Sequence, residues 1–378
     1  MMLRVLSVML PLVLLLGVSS VAAQEDCSST RFSNQWPMTD FCNSSIDLDE
    51  IISGGPPKDG IPALTDPVLN TVEEASKWLG ERAPVIAVEI DGEARAYPQA
   101  ILIWHEIAND EIAGVPIAVT FCPLCNSSIV FDRRVDGEVL EFGVSGVLRN
   151  SDMVMYDRQT ESWWQQFIGQ GIVGTYNGTT LDVISSVVIS FSDFAERYPD
   201  GLVASRDTGY ERRYGTNPYT SYDIANNPFL FTGEIDPRLP ATEHVLAGVI
   251  NGEGIAYPFA VLSEEIVIND RVGDVPVVAF WQPGVASALN ATRIDQGRDI
   301  GTAALYDRTL ADGTVMTFQY DSSAGMLVDE ETGTTWNLFG EAIEGELAGT
   351  SLRRLIAAPH FWFAWAAFYP ETAIYGQE

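Results

Sequence analysis

The chain has 378 residues and a formal net charge of −31, and Lys58 and Lys77 are its only lysines. It lacks the clustered basic residues that phosphate binding needs, which excludes nucleic acid as a partner. Its 46% hydrophobic residues exclude general disorder, and no apolar run beyond the N-terminus is long enough to cross a bilayer. The acidity fits either a self-repelling surface that keeps the protein soluble or adaptation to a saline habitat.

Residues 1–23 have the pattern of a secretory signal peptide. Arg4 precedes an apolar stretch from Leu10 to Leu16, and the small-residue run Val21-Ala22-Ala23 follows it. The mature protein is therefore predicted to be secreted or periplasmic.

Four cysteines in an exported chain indicate oxidising surroundings. The predicted structural disulfide joins Cys27 and Cys42, and closing that loop contributes about 3 kcal/mol in the chain-entropy model. Cys122 and Cys125 are then left to each other or to a ligand.

A loop-rich N-terminal arm over residues 24–82 comes next. Its Gly- and Pro-rich part, residues 53–60, predicts irregular backbone. Thr71 and Glu74 have the spacing of a capping box, which predicts a short helix that ends at Gly80.

The rest of the chain contains an internal repeat. Residues 85–98 return as residues 245–258, with Asp91-Gly92 and Asn251-Gly252 at the same place between two strand-like runs. These dipeptides are typical of two-residue hairpin turns. We therefore predict a first repeat over residues 83–207, a connecting segment over 208–242 and a second repeat over 243–378.

The predicted fold class is α+β and dominated by strands. Hairpin signals recur in both repeats, whereas helical patterns are confined to short pieces near residues 98–108, 192–197 and 358–368. We expect two duplicated β-rich halves that pack as one pseudo-symmetric body, preceded by the loop-rich arm.

The most informative stretch is Cys122-Pro123-Leu124-Cys125. It lies between a β-branched run that ends at Phe121 and a second apolar run that begins at Ile129, so we predict a turn between two strands. This differs from the thioredoxin arrangement, in which the motif opens a helix, and is closer to the knuckles of rubredoxins and zinc ribbons. Asn126 suits the left-handed backbone that such a turn needs.

The second repeat serves as an internal control for this motif. When the two repeats are aligned, glutamine and valine replace the two cysteines, and Glu265 replaces His105. Their joint absence suggests that Cys122, Cys125 and His105 form one site. Two thiolates and an imidazole would suit zinc or copper, and the candidates for a fourth ligand are water, a substrate and the side chains of Asp152, Met153 and His360.

Three alternatives stay open at this point. Cys122 and Cys125 could carry out thiol–disulfide chemistry with help from His105. Alternatively, they form an inert disulfide in a non-enzymatic extracellular binding or structural module. A weaker alternative is a hydrolase that uses Asp157 and Glu161 as paired carboxylates.

The other histidines are interpreted as structural. His360 lies in an aromatic run, which favours a packed residue over a ligand, and His244 is predicted to lie at the surface. The small-molecule or protein partner is left open.

The chain resembles the secreted prokaryotic proteins grouped as domain of unknown function 3179. The resemblance covers nearly the whole mature chain and implies no particular activity. It rests on long motifs: Trp104-His105-Glu106-Ile107, Thr120-Phe121-Cys122-Pro123-Leu124-Cys125, Phe142-Gly143-Val144-Ser145-Gly146, Asn150-Ser151-Asp152, Tyr156-Asp157-Arg158-Gln159-Thr160-Glu161-Ser162 and Tyr214-Gly215-Thr216-Asn217-Pro218-Tyr219.

Overall fold

A computed structural model of the chain describes Cys27 and residues 30–377. The protein is β-dominated, with 40% strand and 13% helix arranged in several sheets, which confirms the predicted class in its coarse form. The predicted signal peptide, residues 1–23, lies outside the described residues.

The elements of the first part of the chain are short strands interrupted by three helices. The helices are α1 (Val72–Ala75), α2 (Gln99–His105) and α3 (Phe191–Arg197). The strands are β1 (Ile52–Ser53), β2 (Leu64–Thr65), β3 (Leu69–Thr71), β4 (Pro84–Ile90), β5 (Glu93–Pro98), β6 (Ile107–Ile112), β7 (Val115–Cys122), β8 (Ser127–Asp132), β9 (Arg134–Val135), β10 (Glu138–Val139), β11 (Phe142–Arg149), β12 (Asp152–Asp157), β13 (Trp163–Gln165), β14 (Gln170–Val173), β15 (Val183–Ile184), β16 (Ser186–Ser190) and β17 (Leu202–Ala204).

The second part has the same character. Its helices are α4 (Phe259–Glu265) and α5 (Trp362–Phe368). Its strands are β18 (His244–Ile250), β19 (Glu253–Pro258), β20 (Val267–Val272), β21 (Val275–Gln282), β22 (Thr302–Asp307), β23 (Phe318–Asp321), β24 (Met326–Asp329), β25 (Thr335–Trp336), β26 (Ala342–Glu344), β27 (Arg353–Arg354), β28 (Ala358–Phe361) and β29 (Ala373–Ile374).

The larger sheets are built mainly from antiparallel neighbours. Three five-stranded sheets have the orders β1-β11-β12-β13-β14, β15-β8-β7-β6-β2 and β16-β4-β5-β17-β3. Three four-stranded sheets have the orders β28-β18-β19-β29, β20-β21-β22-β27 and β23-β24-β25-β26, and β9 pairs with β10.

A run of consecutive elements in the first part recurs in the second, beginning with β4 at Pro84 and with β18 at His244. The recurring order is strand, strand, helix, strand, strand, and it ends with β7 and β21. The pairing registers recur as well: Val85 lies opposite Pro98 in one hairpin, and Val245 lies opposite Pro258 in the other.

The core runs through both parts of the chain. One buried apolar cluster extends from Leu64 to Ile374 and includes side chains from strands of both parts. A separate cluster fills the second part around Tyr257 and Leu262.

The N-terminal arm packs on the sheet that contains β12 and β13. The indole of Trp36 meets the ring of Trp163 at a centroid distance of 5.3 Å and an interplanar angle of 76°. The disulfide Cys27–Cys42 is formed in this arm, as the sequence predicted. The capping box is also present, since Thr71 accepts from Glu74 N and its own backbone N–H donates to Glu74. The helix it begins is shorter than predicted and ends at Ala75.

None of the helices in the described part of the chain is long and apolar enough to cross a membrane.

Candidate metal centre

Cys122 is the last residue of β7, and Cys125 lies on the turn that joins β7 to β8, so the motif lies between two strands as predicted. Residues Pro123–Cys125 form one turn of 3-10 helix, and Asn126 closes it in the left-handed region at φ 48° and ψ 36°. Proline at the start fixes φ, and asparagine tolerates the left-handed conformation better than most residues. The strand–turn–strand geometry therefore holds both sulfurs on one short loop.

A second hairpin turn brings Asp152 to the two sulfurs. Arg149 pairs with Asp152 across β11 and β12, and the two residues between them, Asn150 and Ser151, have φ of 53° and 66°. Two positive φ values in a two-residue turn are the signature of type I′, which matches the twist of the strands. Asp152 is thereby placed at the first position of β12.

The ligand atoms of Cys122, Cys125 and Asp152 all lie within 4.8 Å of one another. The side chains are buried, with exposed fractions of 2%, 0% and 0%. The two cysteines are separate thiols and are not joined as a disulfide. Such a cluster could hold a metal ion.

The Asp152 carboxylate is held on one side only. Its Oδ2 accepts from Gln165 Nε2 at 2.6 Å and from the backbone N–H of Phe167 at 3.0 Å. Its Oδ1 is buried and has no hydrogen-bond partner of ordinary geometry among the described residues. The two thiols beside it act as weak donors that partly lower its pKa. An oxygen in this state is suited to coordinate a cation.

Burial dominates the electrostatics of the cluster. It raises the pKa of the Cys122 thiol, and it raises that of Cys125 well above its usual value. It also raises the pKa of Asp152 to about 7, against the opposing hydrogen bonds from Gln165 and Phe167. Without a cation, the site therefore favours protonated, uncharged groups.

Glu106 is a further acidic group at this site. It follows α2 directly with a φ of 59°, and its backbone carbonyl accepts from Phe121 N at 2.8 Å. Burial first, and the Asp152 charge second, raise the pKa of Glu106 to about 8. Its carboxylate makes no side-chain hydrogen bond within residues 30–377.

A cavity of about 70 Å³ lies beside the cluster. Cys122 and Glu106 line it together with Met153, and so do residues of the segment 208–242, including Tyr219, Phe229 and Leu230. The walls are mostly apolar. The space is sufficient for a small molecule or a few waters.

The family described as protein of unknown function DUF3179 matches residues 58–372. The chain belongs to this family. No curated protein and no solved structure matches the chain. The resemblance noted from the motifs is therefore confirmed, and the comparisons attach no activity to it.

In this DUF3179 protein, His105 is not part of the three-residue cluster. Its Nδ1 lies 2.7 Å from the carbonyl oxygen of Pro62, and its Nε2 lies 2.7 Å from Tyr214 Oη. A carbonyl only accepts, so Nδ1 carries the proton and Nε2 accepts from the tyrosine. Both ring nitrogens are thus occupied by partners other than the sulfurs.

The three side chains proposed as a fourth ligand have different positions. Asp152 joins the sulfurs, and Met153 lines the same cavity as Cys122. His360 lies in another cavity, between Phe167 at 4.6 Å and Trp365 at 5.4 Å between ring centroids. The aromatic surroundings expected for His360 are present.

The surface position expected for His244 is wrong. The residue is 3% exposed, and its Nδ1 accepts from Asn126 Nδ2 at 3.2 Å. It opens β18, whose edges are covered by β19 and β28, so the ring is enclosed. The second part of the chain thereby contacts the residue that ends the cysteine turn.

The carboxylates of the hydrolase alternative are both engaged. Asp157 accepts from Thr160 N at 2.6 Å, Thr160 Oγ1 at 2.8 Å and Trp164 Nε1 at 2.9 Å. Glu161 accepts from Lys58 Nζ at 2.5 Å and from Met38 N at 3.1 Å. These contacts fix a turn and attach the N-terminal arm.

Sequence reasoning missed Glu106, although the signal was present. The residue at the same place after α4 is Ile266, so the acidic group is absent from the later segment together with both cysteines. Asp152 also lacks a counterpart. The repeated Asp-Thr-Trp residues align Asp157 with Asp329, and this alignment places Ala324 opposite Asp152.

Proposed function

We propose that this protein binds a transition-metal ion, and most favourably zinc, through Cys122, Cys125 and Asp152. The observation that supports this best is the approach of two buried sulfurs and one carboxylate oxygen to within 4.8 Å of one another, an oxygen whose only donors are the weakly donating thiols. A buried carboxylate oxygen with only weak donors is costly, and a cation would remove that cost.

The donor types favour zinc over copper. Zinc accepts thiolate sulfur and carboxylate oxygen in one tetrahedral shell, whereas Cu(I) prefers sulfur alone. Copper is the second choice, because the thioether of Met153 lines the neighbouring cavity. Either ion would replace the thiol protons, since thiolate is the form that coordinates.

Three protein ligands leave one position of a tetrahedral ion for water or a small molecule. Cys122 and Glu106 both line the adjacent cavity, and the Glu106 carboxylate makes no hydrogen bond to the described residues. A bound metal would supply Lewis acidity, and Glu106 would accept or donate a proton in the same space.

Thiol–disulfide chemistry is the second candidate, because the two sulfurs are close and unbonded. Burial raises both thiol pKa values, however, which suppresses the thiolate that attacks a disulfide. No helix of the thioredoxin kind begins at the motif in the described chain, since Pro123–Cys125 is a single 3-10 turn. The inert disulfide between Cys122 and Cys125, which the sequence left open as an alternative, is not formed.

We also propose that the chain consists of two related units, residues 83–207 and 243–378, joined by the segment 208–242. The recurring elements support this, as does the pair of hydrogen bonds from Tyr97 Oη to Asp110 and from Tyr257 Oη to Asp270. Export to the periplasm or the exterior is part of the proposal, and the Cys27–Cys42 disulfide is compatible with it.

The test is a measurement of metal content and affinity. Protein purified without chelators should hold about one zinc ion per chain, since the cluster supplies a single tetrahedral site. Cys122→Ser should weaken zinc binding by about 100-fold or more in competition with a colorimetric chelator, because serine oxygen is a poor substitute for thiolate.

The matched control is Gln282→Ser, at the position of the second repeat that aligns with Cys122. It should leave metal content unchanged. Absence of zinc and copper from the wild type, before and after incubation with a slight excess of each ion under reducing conditions, would contradict the proposal. Rapid conversion of the two thiols to a disulfide by oxidised glutathione would favour the redox alternative.

A further inference from the structure

A second cavity, of about 160 Å³, lies at the junction of the two halves of the chain. One wall comes from β8 and the short strands β15 and β16, and the other comes from β18, β28 and α5. It shares no lining residue with the cavity beside Cys122. It is therefore a separate site.

The lining of this cavity is mostly apolar, and its mouth is apolar too. The rings of Phe131 and Phe167 form part of the interior. Three lining side chains are exposed to solvent: Val183 at 40%, Val249 at 38% and Ile356 at 47%. Large apolar side chains left exposed around one concave site are typical of a binding surface.

Two buried polar groups in the lining have no partners. His360 and Trp365 are each 3% exposed, and their rings stack at 5.4 Å between centroids. The Nδ1 of His360 makes no hydrogen bond within the described chain, and the indole Nε1 of Trp365 makes none either. Buried polar groups in folded proteins are nearly always paired, so this pair indicates a partner from outside the chain.

Charge and hydrogen-bonding capacity define that partner. None of the described residues that line the cavity carries a formal charge, and burial lowers the pKa of His360 to about 3, so its ring is neutral. An ion would lose its hydration without a counter-ion. The indole N–H can only donate, whereas a neutral imidazole both donates and accepts. A hydroxyl group matches both, because it also donates and accepts.

The volume of the cavity limits the size of the ligand. An engineered apolar cavity of about 150 Å³ stays dry and binds benzene. We propose that the cavity between the two halves binds a neutral molecule of the size of one six-membered ring that carries a hydroxyl group, as in a phenol, which hydrogen-bonds to His360 and Trp365.

The experiment uses phenol, toluene and benzoate as probes of the full mature chain, titrated by calorimetry at pH 7 in a chelating buffer. Phenol should bind saturably with a Kd of about 1 mM or tighter. Toluene should bind about fivefold more weakly, because it offers no hydroxyl. Benzoate should bind at least about tenfold more weakly than phenol, because its charge would be buried unpaired.

Two variants separate the ligand contacts from the fold. His360→Phe keeps an aromatic ring and should weaken phenol binding about fivefold while leaving toluene binding unchanged within about twofold. Val249→Trp places a large side chain at the mouth and should remove saturable binding of both. Its control, Ile343→Trp, adds the same side chain at an exposed apolar position outside the cavity and should bind as the wild type does.

Several results would overturn this assignment. One is the absence of saturable phenol binding by the wild type. Another is phenol binding that survives Val249→Trp unchanged in a folded protein. Equal affinities for phenol, toluene and benzoate would do so as well, since the two unpaired nitrogens would then play no part.

Discussion

The segment around Cys122 and the corresponding segment around Gln282 share a framework and differ in chemistry. In each, a seven-residue helix ends at a non-glycine residue with positive φ, Glu106 at 59° and Ile266 at 64°. In each, the carbonyl of that residue accepts from the second strand after the helix, from Phe121 N of β7 at 2.8 Å and from Trp281 N of β21 at 2.9 Å. The backbone arrangement is therefore independent of the side chain it carries.

The two units diverge where β7 and β21 end. The first continues through one 3-10 turn into β8, and the second makes a long excursion over residues 283–301 before β22 begins. The tight turn is what holds two side chains on one small loop. The comparison shows that strain at the helix end belongs to the scaffold, whereas the ligand cluster depends on the short turn and on Asp152.

The largest expected effect concerns pH, and it follows from acidic groups that only the first unit has. Glu106, with its pKa raised to about 8, and Asp152, at about 7, bind more protons when folded than when unfolded. Their stabilising contribution is full below the unfolded pKa values and is lost as pH rises. Metal-free protein should lose about 3 kcal/mol of unfolding free energy between about pH 6.5 and 8.5.

The buried histidines oppose this effect only at the start of the window. The pKa values of His244 and His360 are lowered to about 3, and burial lowers that of His105 as well. Each histidine therefore still adds about 0.4 kcal/mol of stability between the unfolded pKa of about 6.5 and about pH 7.5, which offsets part of the loss. Guanidinium denaturation across the window measures the effect. Glu106→Gln should remove about two thirds of the slope, which is the share of Glu106 in the total expected from its larger shift. A wild-type stability that rises over this range would contradict the assignment of a buried acidic pair.

Asp152→Asn tests whether the carboxylate is a ligand. The amide keeps the size of the side chain but lacks the charge, so zinc affinity should fall about 100-fold, or about 2.7 kcal/mol. Competition with a chelator at pH 7 measures it. Unchanged zinc affinity would show that Asp152 does not coordinate the ion together with the two sulfurs.

Thr160→Val and Thr332→Val test a turn that both halves of the chain contain. Each threonine hydroxyl donates to an aspartate at 2.8 Å, Asp157 in one half and Asp329 in the other. Each change should cost about 2 kcal/mol of unfolding free energy, the value of a hydrogen bond to a charged group. Neither should alter metal content. Markedly unequal losses in denaturation would show that the two turns are not equivalent.

Gln165→Leu tests the support of the ligand carboxylate and should have the smallest effect. It removes the donor to Asp152 Oδ2 and leaves the backbone N–H of Phe167 in place. Zinc affinity should fall about tenfold, as is common when a group that orients a ligand is lost. A decrease as large as that of Asp152→Asn would mean that the glutamine itself coordinates.

Strands, turns and short helices were predictable because their signals are local. The β-branched run before Cys122, the Asn126 turn and the capping box at Thr71 each depend on a few neighbouring residues, and each is present. The end of the first helix was predicted wrongly, at Gly80 instead of Ala75, since Thr71 determines where the helix begins but not where it stops.

It was harder to predict which residues form the site. His105 and Glu106 are adjacent, and a positive φ at Glu106 turns the chain so that the two side chains serve different places. Positive φ is rare for glutamate, so no local signal pointed to the reversal. Asp152 reaches the sulfurs through a contact between two hairpin turns, and such long-range pairing is invisible in one sequence.

The segment 208–242 has a consequence for the speed of exchange. Tyr219, Phe229 and Leu230 line the cavity beside Cys122, and both sulfurs are almost wholly shielded from solvent. We expect an ion to reach or leave the sulfurs only when the side chains packed around them move, so the exchange rate would be set by how often that movement occurs rather than by the strength of the bonds to sulfur. Once loaded, the protein would retain its ion during dilution for longer than the equilibrium affinity alone suggests.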